Sequence, residues 1–255
     1  MNNKLKLKLK NNEVTYGTWL TIPNIIIPEI ISAGSFDWIC IDMEHSNIEL
    51  NDLVPLIVSI EKGNITPLVR VGENNANLIK RVMDAGSYGV IVPNINNSEQ
   101  ARKAVESVKY PPVGKRGVGL YRAQKFGKNF ENYFNWVKDN SIVIIQIENI
   151  EAVQNIESIF EVEGIDGYII GPYDLSSSLG KPGKINDPEV IEAINKIISV
   201  GNKKNITSGI HSVSTDPEEV INFKNKGFKL LGFSLDSIFL SDAVINSMNI
   251  IRNSK

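Results

Sequence analysis

Short apolar runs rich in β-branched residues alternate along the chain with segments of helical spacing. The runs predict eight strands, at residues 15–22, 36–41, 66–71, 89–92, 142–147, 167–170, 206–210 and 230–235. Segments in which apolar residues return every three or four positions predict helices at residues 50–62, 77–85, 98–108, 150–160, 188–200 and 217–225. Capping residues precede several of these segments, for example Asn97 before Glu99 and Asp216 before Glu218.

This repeated alternation of strand and helix predicts the fold class. Eight strand-helix units in one chain favour an α/β fold of the (β/α)8 or TIM-barrel type. An open doubly wound sheet would need a Gly-rich turn after the first strand, and the residues that follow position 22 do not provide one. The chain has 255 residues, of which 42% are hydrophobic, enough for one large core. We therefore expect one domain over residues 1–255, with a core at about 15–240 and a C-terminal helix at 237–255.

The amino-acid composition of the chain indicates which classes of binding partner to expect. The net charge is -2 and no block of basic residues is present, which argues against a nucleic-acid surface and favours small-molecule substrates. The first residues lack the apolar core of a signal peptide, and no run approaches the roughly 18 apolar residues of a membrane span. We expect a cytoplasmic protein with no membrane or nucleic-acid partner. The single cysteine, Cys40, excludes an intramolecular disulfide and a cysteine-based zinc cluster.

Polar residues follow the predicted strands, where a barrel carries its catalytic groups. They are Asp42, Glu44 and His45 after the second run, Arg70 after the third, Gln146 and Glu148 after the fifth, Asp174 after the sixth, and Ser234 and Asp236 after the eighth. Because the carboxyl ends of all eight strands meet at one end of a barrel, these side chains are expected to lie together. This clustering is the main functional signal in the pattern.

Two of these carboxylates suggest a metal site. Alternation along a strand puts Glu148 on the same face as Ile144 and Gln146, and the same argument applied to GYIIGPYD puts Asp174 on a face with Ile170. Two carboxylates on neighbouring strand ends can chelate a cation, and oxygen ligands suit Mg²⁺ or Mn²⁺ better than zinc. The alternative is that each acid caps a helix or pairs with a lysine.

The other strand-end residues also have two interpretations. Arg70 could hold a carboxylate or polarise a carbonyl oxygen, or it could form a supporting salt bridge at the rim. His45 follows two acids and could transfer protons, or its ring could bind a loop carbonyl. His211 ends the seventh run and fits a second-sphere or aldehyde-side contact better than a base. No lysine lies in residues 142–148 or 167–174, which argues against Schiff-base chemistry.

Several motifs together resemble one family. DWICIDMEHSNIEL, PLVRV, VPNINNSEQARKAVESVKYPPVGKRGVG, IIQIEN and VEGIDGYIIGPYDLSSSLG occur in this order within residues 16–236. They are similar to the HpcH/HpaI family of class II pyruvate aldolases, which includes aldolases of 4-hydroxy-2-oxo-heptanedioate, 2-keto-3-deoxy-rhamnonate and 5-keto-4-deoxy-glucarate. The resemblance implies a (β/α)8 barrel in a homo-oligomer, a hexamer built as a trimer of dimers, with the C-terminal helix exchanged between subunits. It also implies a short helix at LKLKLK, whose alternation alone would suggest a strand.

The resemblance implies a role for individual residues. Glu148 and Asp174 match the ligands of a divalent ion, Mg²⁺ or Mn²⁺ with Co²⁺ as an alternative, and no organic cofactor is implied. Arg70 matches the residue at the keto oxygen, and His45 matches the proton-transfer residue with carboxylate partners at Asp42 and Asp84. The residues that match the pyruvate site are Trp19, Gln146, Gly171, Tyr173 and Asp174.

The implied reaction makes or cleaves 4-hydroxy-2-oxo acids through a metal-bound pyruvate enolate and an aldehyde. The base is His45 or a water that it assists. The chain departs from the family pattern at four residues that border the expected aldehyde position, Tyr121, Arg122, Tyr173 and His211. The resemblance therefore does not imply which aldehyde is the substrate. A citrate-lyase-like enzyme acting on an acyl-CoA, or a non-catalytic barrel that binds a keto acid, are the alternatives.

Overall fold

The computed structural model describes residues 3–254, which form strands β1–β8 and helices α1–α12. The strands are Thr15–Leu20, Trp38–Asp42, Thr66–Arg70, Gly89–Val92, Ile142–Ile147, Gly167–Ile170, Thr207–Ser212 and Leu230–Leu235. The helices are Lys4–Lys10, Ile26–Ile31, Leu50–Lys62, Ala76–Ala85, Ser98–Val108, Phe130–Asn140, Ile150–Gln154, Ile156–Ile159, Pro172–Ser178, Pro188–Lys203, Pro217–Asn225 and Asp236–Asn253. Within these residues, no helix has the length and apolar character needed to cross a membrane.

The strands form one closed parallel barrel. Each strand pairs with its neighbours in sequence, and β8 pairs with β1 to complete the ring. This confirms the predicted (β/α)8 fold, and the strand boundaries lie within two residues of the prediction. The strands appear as continuous apolar runs because both of their faces are buried. One face fills the barrel interior with Trp38, Cys40, Leu68, Ile91, Ile144 and Ile169, and the other packs against the helices.

Helix α1 closes the N-terminal end of the barrel. Leu5 and Leu9 lie one turn apart and pack against the interior residues Trp38 and Ile142. Leu5 is only 1% exposed, whereas Leu7 on the opposite face is 57% exposed. The helix that the family resemblance implied is therefore confirmed, because leucines four residues apart face one core and the lysines between them do not.

The polar face of α1 is held by ion pairs and a cap. The Asn3 side chain accepts hydrogen bonds from the backbone amides of Leu5 and Lys6 at 3.1 and 3.3 Å, as an N-cap does. Lys6 pairs with Asp166, and Lys8 Nζ lies 2.6 Å from Asp37 Oδ1. The lysines thus attach α1 to the loops that precede β2 and β6.

Truncation of Leu5 tests this closure. Leu5→Ala should lower the free energy of unfolding by roughly 2–5 kcal/mol, because it leaves a cavity among buried side chains. Leu7→Ala on the same helix should change it by less than about 0.5 kcal/mol. Urea unfolding of both variants measures the difference. Equal effects of the two substitutions would mean that α1 does not seal the barrel.

Three of the observed helices were not predicted, and two others were predicted as one helix. The unpredicted helices are α2, α6 and α9, and the predicted helix at 150–160 is divided at Asn155 into α7 and α8. Helix α9 determines where Asp174 lies. Strand β6 ends at Ile170 and Pro172 begins a helix, a position that proline favours. The prediction that Asp174 alternates with Ile170 along a strand is therefore wrong.

Helix α12 leaves the barrel directly after β8 with little of its surface covered. Across its described residues, Asp236–Asn253, only Asp236 is buried. The exposed apolar side chains of this helix are Leu240, Val244, Ile245, Met248, Ile250 and Ile251. A helix with this many exposed apolar residues is typical of a surface that is covered in an assembly.

Candidate active site

An acid and an arginine at the ends of β2 and β3 form a two-point ion pair at the C-terminal end of the barrel. Asp42 and Arg70 are paired in the strand register, and Arg70 donates from Nε to Asp42 Oδ1 at 2.9 Å and from Nη2 to Oδ2 at 2.6 Å. The Asp42 side chain is 3% exposed. Asp42 Oδ1 also accepts the backbone amides of Glu44 and His45. This carboxylate therefore orients both the guanidinium and the turn that carries His45.

Arg70 keeps its charge although it is mostly buried. Burial lowers the pKa of the guanidinium, but the hydrogen bond and the charge of Asp42 outweigh this, so that its pKa is raised. Its Nη1 lies 3.2 Å from Glu44 Oε2, and its guanidinium carbon lies 5.9 Å from the centre of the Trp19 ring. A fixed cation is thus available to stabilise negative charge on a bound ligand.

Gln146 lies in strand β5, and Glu148 follows the last residue of that strand, Ile147. Gln146 donates to Glu148 Oε2, and the backbone amide of Asn94 donates to Glu148 Oε1 at 2.7 Å. Burial raises the pKa of Glu148, and the nearby charge of Asp174 acts in the same direction, while the two hydrogen bonds lower it. Asp174 lies in the first turn of α9. The two carboxylates line one cavity together with Glu44.

These residues fit a hard divalent cation. Glu44, Glu148 and Asp174 bring negative charge into one cavity, and Gln146 Oε1 is buried without a hydrogen-bond partner among the described residues. Within residues 3–254, no three His, Cys, Asp or Glu side chains are grouped closely enough to hold a metal ion by themselves. Carboxylate and amide oxygens are ligands that Mg²⁺ and Mn²⁺ prefer. Glu148 and Asp174 are the residues that would hold such an ion.

Glu44 should show a measurable titration. Burial, together with the charges of Glu148, Asp42 and Asp174, raises its pKa from 4.5 to about 7, although Arg70 opposes the shift. The folded chain thus binds this proton more tightly than the unfolded chain. The contribution of Glu44 to stability is full below pH 4.5 and is lost as the pH rises to about 7.

The Glu44→Gln variant removes this titration. Between about pH 5 and about pH 7.5, the metal-free wild type should lose roughly 1–3 kcal/mol of unfolding free energy relative to the variant. Urea unfolding of both proteins at the two pH values measures this difference. A parallel pH dependence in the two proteins would contradict the raised pKa.

The two acids predicted to orient His45 do not contact its ring within this chain. The side chain of His45 is 66% exposed at the rim, and its Nε2 lies 3.7 Å from Glu44 Oε2. Asp42 binds the backbone amide of His45 instead. Asp84 lies near the end of α4, outside the pocket, where its Oδ1 accepts a hydrogen bond from Arg116 at 2.5 Å.

Aromatic rings from β1 and β7 form the opposite wall of the pocket. His211 stacks on Trp19 with ring centres 4.2 Å apart and planes 17° apart. Burial lowers the pKa of His211 to about 4, so its ring is neutral near pH 7. A Cβ at position 232 would lie 2.4 Å from the Trp19 ring, so Gly232 is needed for this packing. Trp19 therefore lines the pocket, and His211 extends the aromatic surface beside it.

The turn from β6 into α9 completes the pocket. A Cβ on Gly171 would lie 2.9 Å from both Cβ and Oε2 of Glu148, so a glycine lets this turn approach the acid. Tyr173 and Asp174 follow in the first turn of α9, where backbone amides have no acceptor within the helix. The pocket has a volume of about 250 Å³ and is lined by Trp19, Thr21, Asp42, His45, Arg70, Gln146, Ile169, Ile170, Gly171, Pro172, Tyr173, Asp174, His211, Val213 and Leu235.

Two residues near the expected aldehyde position lie elsewhere. Arg122 donates to the carbonyl oxygen of Ala85 at 3.1 Å and pairs with Glu61, so it lines a separate cavity. Tyr121 beside it is exposed. The expectation that these two side chains border the pocket is wrong within one chain, because the loop that carries them packs against the end of α4.

Two contacts of the site were not predicted from sequence. Glu44 was expected as a strand-end acid that could orient the His45 ring, and its contact with Arg70 depends on how the turn after β2 folds. Asn94 binds Glu148 through its backbone amide and has a positive φ of 55°. The signal for Asn94 was its position just after the fourth apolar run, followed by a second asparagine at position 96.

Comparison with known proteins agrees with this geometry. The family model described as HpcH/HpaI aldolase/citrate lyase matches residues 15–243. The chain belongs to the HpcH/HpaI aldolase/citrate lyase family. The family resemblance found in the sequence is therefore confirmed, as is the prediction of a carbon–carbon lyase.

Relatives of this family match most of the chain. A 2-keto-3-deoxy-L-rhamnonate aldolase of Escherichia coli K12 is 33% identical over 100% of this chain and 95% of its own length. A 5-keto-4-deoxy-D-glucarate aldolase of Klebsiella pneumoniae is 37% identical over 82% of this chain and 81% of its own length. The crystal structure of a family member from Burkholderia cenocepacia is similar, with a TM-score of 0.93 and 30% identity over 99% of this chain and 100% of that one.

Proposed function

We propose that this protein is a divalent-metal-dependent class II aldolase that makes or cleaves 4-hydroxy-2-oxo acids from pyruvate and an aldehyde. The observation that carries the proposal is the grouping of Glu148 and Asp174 with the charged Arg70 at one end of the barrel. Among the described residues that line these cavities there is no lysine, which a Schiff-base aldolase requires. The family membership supports the same reaction class.

The residues of the pocket have complementary tasks toward a 2-keto acid. A divalent cation held by Glu148 and Asp174 would supply Lewis-acid stabilisation of negative charge. Arg70, held by Asp42, donates to the keto oxygen as negative charge develops there. The first-turn amides of α9 at Tyr173 and Asp174 bind the substrate carboxylate.

The proton is removed from the methyl carbon of pyruvate at the open side of the pocket. His45 stands at the rim, and its ring is exposed enough to exchange protons with water. His45 either takes the methyl proton itself or assists a water that does so. A positioned base typically contributes ~10²- to 10⁴-fold to the rate.

Pocket size and the named relatives suggest the class of acceptor. A volume of about 250 Å³ has room for a keto acid and a short aldehyde, but not for a large second substrate. The relatives are aldolases of 2-keto-3-deoxy-L-rhamnonate and 5-keto-4-deoxy-D-glucarate, which are both hydroxylated keto acids. We infer a substrate of that general class for this chain.

The exposed face of α12 supports an assembly of identical subunits. Its apolar residues, among them Leu240 and Ile245, remain uncovered in one chain. We propose that this helix packs against another copy, exchanged between subunits of a hexamer built as a trimer of dimers. Light scattering coupled to size-exclusion chromatography measures the mass, and a monomer at micromolar concentration would overturn this proposal.

Exchange of pyruvate protons with heavy water tests the proposed reaction without a known aldehyde. Metal-stripped protein should exchange the methyl protons of pyruvate only after Mg²⁺ or Mn²⁺ is added, and a chelator should stop the exchange. NMR measures the loss of the methyl proton signal. The Glu157→Gln variant, altered on the exposed surface of α8, should behave like wild type. Absence of exchange with either cation, with or without an added aldehyde, would reject the aldolase proposal and favour a binding or acyl-CoA role.

A further inference from the structure

The wall of the pocket built from β1, β7 and β8 has few polar groups available to a ligand. The Thr21 hydroxyl donates to Asp236 Oδ1 at 2.6 Å, and Asp236 also accepts the backbone amides of Thr21 and Ile22. Val213 and Leu235 are apolar. Two polar groups remain on this wall: Trp19 Nε1, which is buried without a hydrogen-bond partner among the described residues, and the ring of His211.

One nitrogen of that ring is committed to the backbone. His211 Nε2 lies 3.0 Å from the carbonyl oxygen of Ser234, which also accepts the Thr18 hydroxyl. A carbonyl oxygen can only accept, so Nε2 must carry the hydrogen. In a neutral imidazole the other nitrogen, Nδ1, is then an acceptor with no hydrogen of its own.

The surroundings keep the ring in this state. Burial lowers the pKa of His211, and the nearby charge of Arg70 acts in the same direction. The stack on Trp19 fixes the plane of the ring. Within residues 3–254, Nδ1 of His211 makes no hydrogen bond, while its ring lines the pocket.

We propose that Nδ1 of His211 accepts a hydrogen bond from a hydroxyl group of the second substrate, so that the enzyme selects neutral hydroxyaldehydes. This inference rests on the proposed aldolase function. A hydroxyl group can donate to Nδ1, whereas an alkyl group leaves it unpaired and a carboxylate presents lone pairs to a lone pair. Both deoxy aldehydes and aldehydes with a carboxylate at that position are therefore disfavoured.

Three aldehydes test the selection in the aldol direction with pyruvate. Lactaldehyde carries the hydroxyl group, propionaldehyde lacks it, and succinic semialdehyde carries a carboxylate. In wild type, kcat/KM should be highest for lactaldehyde. In His211→Phe, which keeps an aromatic ring against Trp19 but has no nitrogen, the ratio of lactaldehyde to propionaldehyde should fall by roughly three- to tenfold. Tyr16→Phe, which loses an exposed hydroxyl group near the start of β1, at the opposite end of the barrel from the pocket, should keep the wild-type ratio.

The hydrogen position can be observed directly in the wild-type protein. The chain has two histidines, so ¹⁵N-labelled His45→Gln protein assigns the signals of His211 by elimination. We expect a protonated Nε2 and an unprotonated Nδ1 near neutral pH, with the Nδ1 signal shifted on binding of lactaldehyde together with pyruvate and Mg²⁺. This measurement decides the question even if His211→Phe does not fold.

The outcomes distinguish a failure of this inference from a failure of the proposed aldolase function. A protonated Nδ1, or an unchanged substrate ratio in His211→Phe, would overturn the inference while pyruvate exchange by wild type still supported the aldolase. No exchange and no aldol product in wild type would instead overturn the proposed function.

Discussion

Glu148→Gln should lower metal-dependent exchange of pyruvate protons by roughly a thousandfold or more. The substitution removes one of the two carboxylates proposed to hold the cation, and the Lewis acid supplies several kcal/mol of charge stabilisation. The amide keeps the size of the side chain and can still accept the backbone amide of Asn94. NMR at saturating Mg²⁺ measures the loss of proton exchange, and calorimetric titration measures the loss of Mg²⁺ affinity.

The fold should survive this substitution, which makes it informative. Burial raises the pKa of Glu148, so its charged form is a cost to the metal-free fold that glutamine removes. The unfolding free energy of metal-free Glu148→Gln should therefore stay within about 1 kcal/mol of wild type. Glu157→Gln serves as the matched control for activity and stability. Activity within tenfold of wild type would contradict the assignment of Glu148 as a metal ligand.

Arg70→Leu should be the most destabilising change at the site. It leaves the Asp42 carboxylate buried and unpaired, and it removes the cation that faces Glu44. Loss of one partner from a buried pair typically costs about 3–5 kcal/mol. Arg70 opposes the raised pKa of Glu44, so its removal makes the Glu44 carboxylate more costly; the loss of unfolding free energy should therefore be smaller near pH 5, where Glu44 is protonated, than near pH 8.

Urea unfolding measures this loss of unfolding free energy, and a salt bridge on the surface provides the comparison. Lys204 Nζ lies 3.0 Å from Glu161 Oε1 on the surface, and Lys204→Leu should cost no more than about 1 kcal/mol. Equal costs for the two substitutions would contradict the proposed stabilisation of the buried Asp42 side chain by Arg70, and a cost of Arg70→Leu that does not depend on pH would contradict the effect of Arg70 on Glu44.

The barrel could be predicted from sequence because its strands are buried on both faces and are separated by capped helices. Helix α6 was missed although Tyr133 and Val137 lie one turn apart on a buried face. The residue before it, Asn129, makes no capping hydrogen bond through its side chain, so α6 lacks the contact that usually marks the start of a helix. Elements that lack such a signal are set by tertiary contacts.

The site was predictable where strand ends supply the residue. Asp42, Arg70 and Glu148 meet because parallel strands end together. Asp174 also reaches the site, but from a helix, since a proline after β6 ends the strand early. Asp84 follows Arg70 by one helix, and α4 runs away from the strand ends. Its last turn therefore lies far from the pocket of its own chain, which the order of residues alone does not reveal.

Helix α1 makes several of its anchoring contacts with residues that are translated much later. The Asn3 amide binds Asn140 at 3.0 Å, Lys6 pairs with Asp166, and the carbonyl oxygen of Leu9 accepts the Thr207 hydroxyl at 3.0 Å. A ribosome therefore releases α1 long before its docking partners exist. Until β5 and β8 emerge, Leu5 and Leu9 lack part of the barrel interior that buries them, including Ile142 and Leu230, and they stay accessible to chaperones. Seating of this helix is thus a late folding event, and fusion partners joined close to it will interfere with barrel closure more than with the early strands.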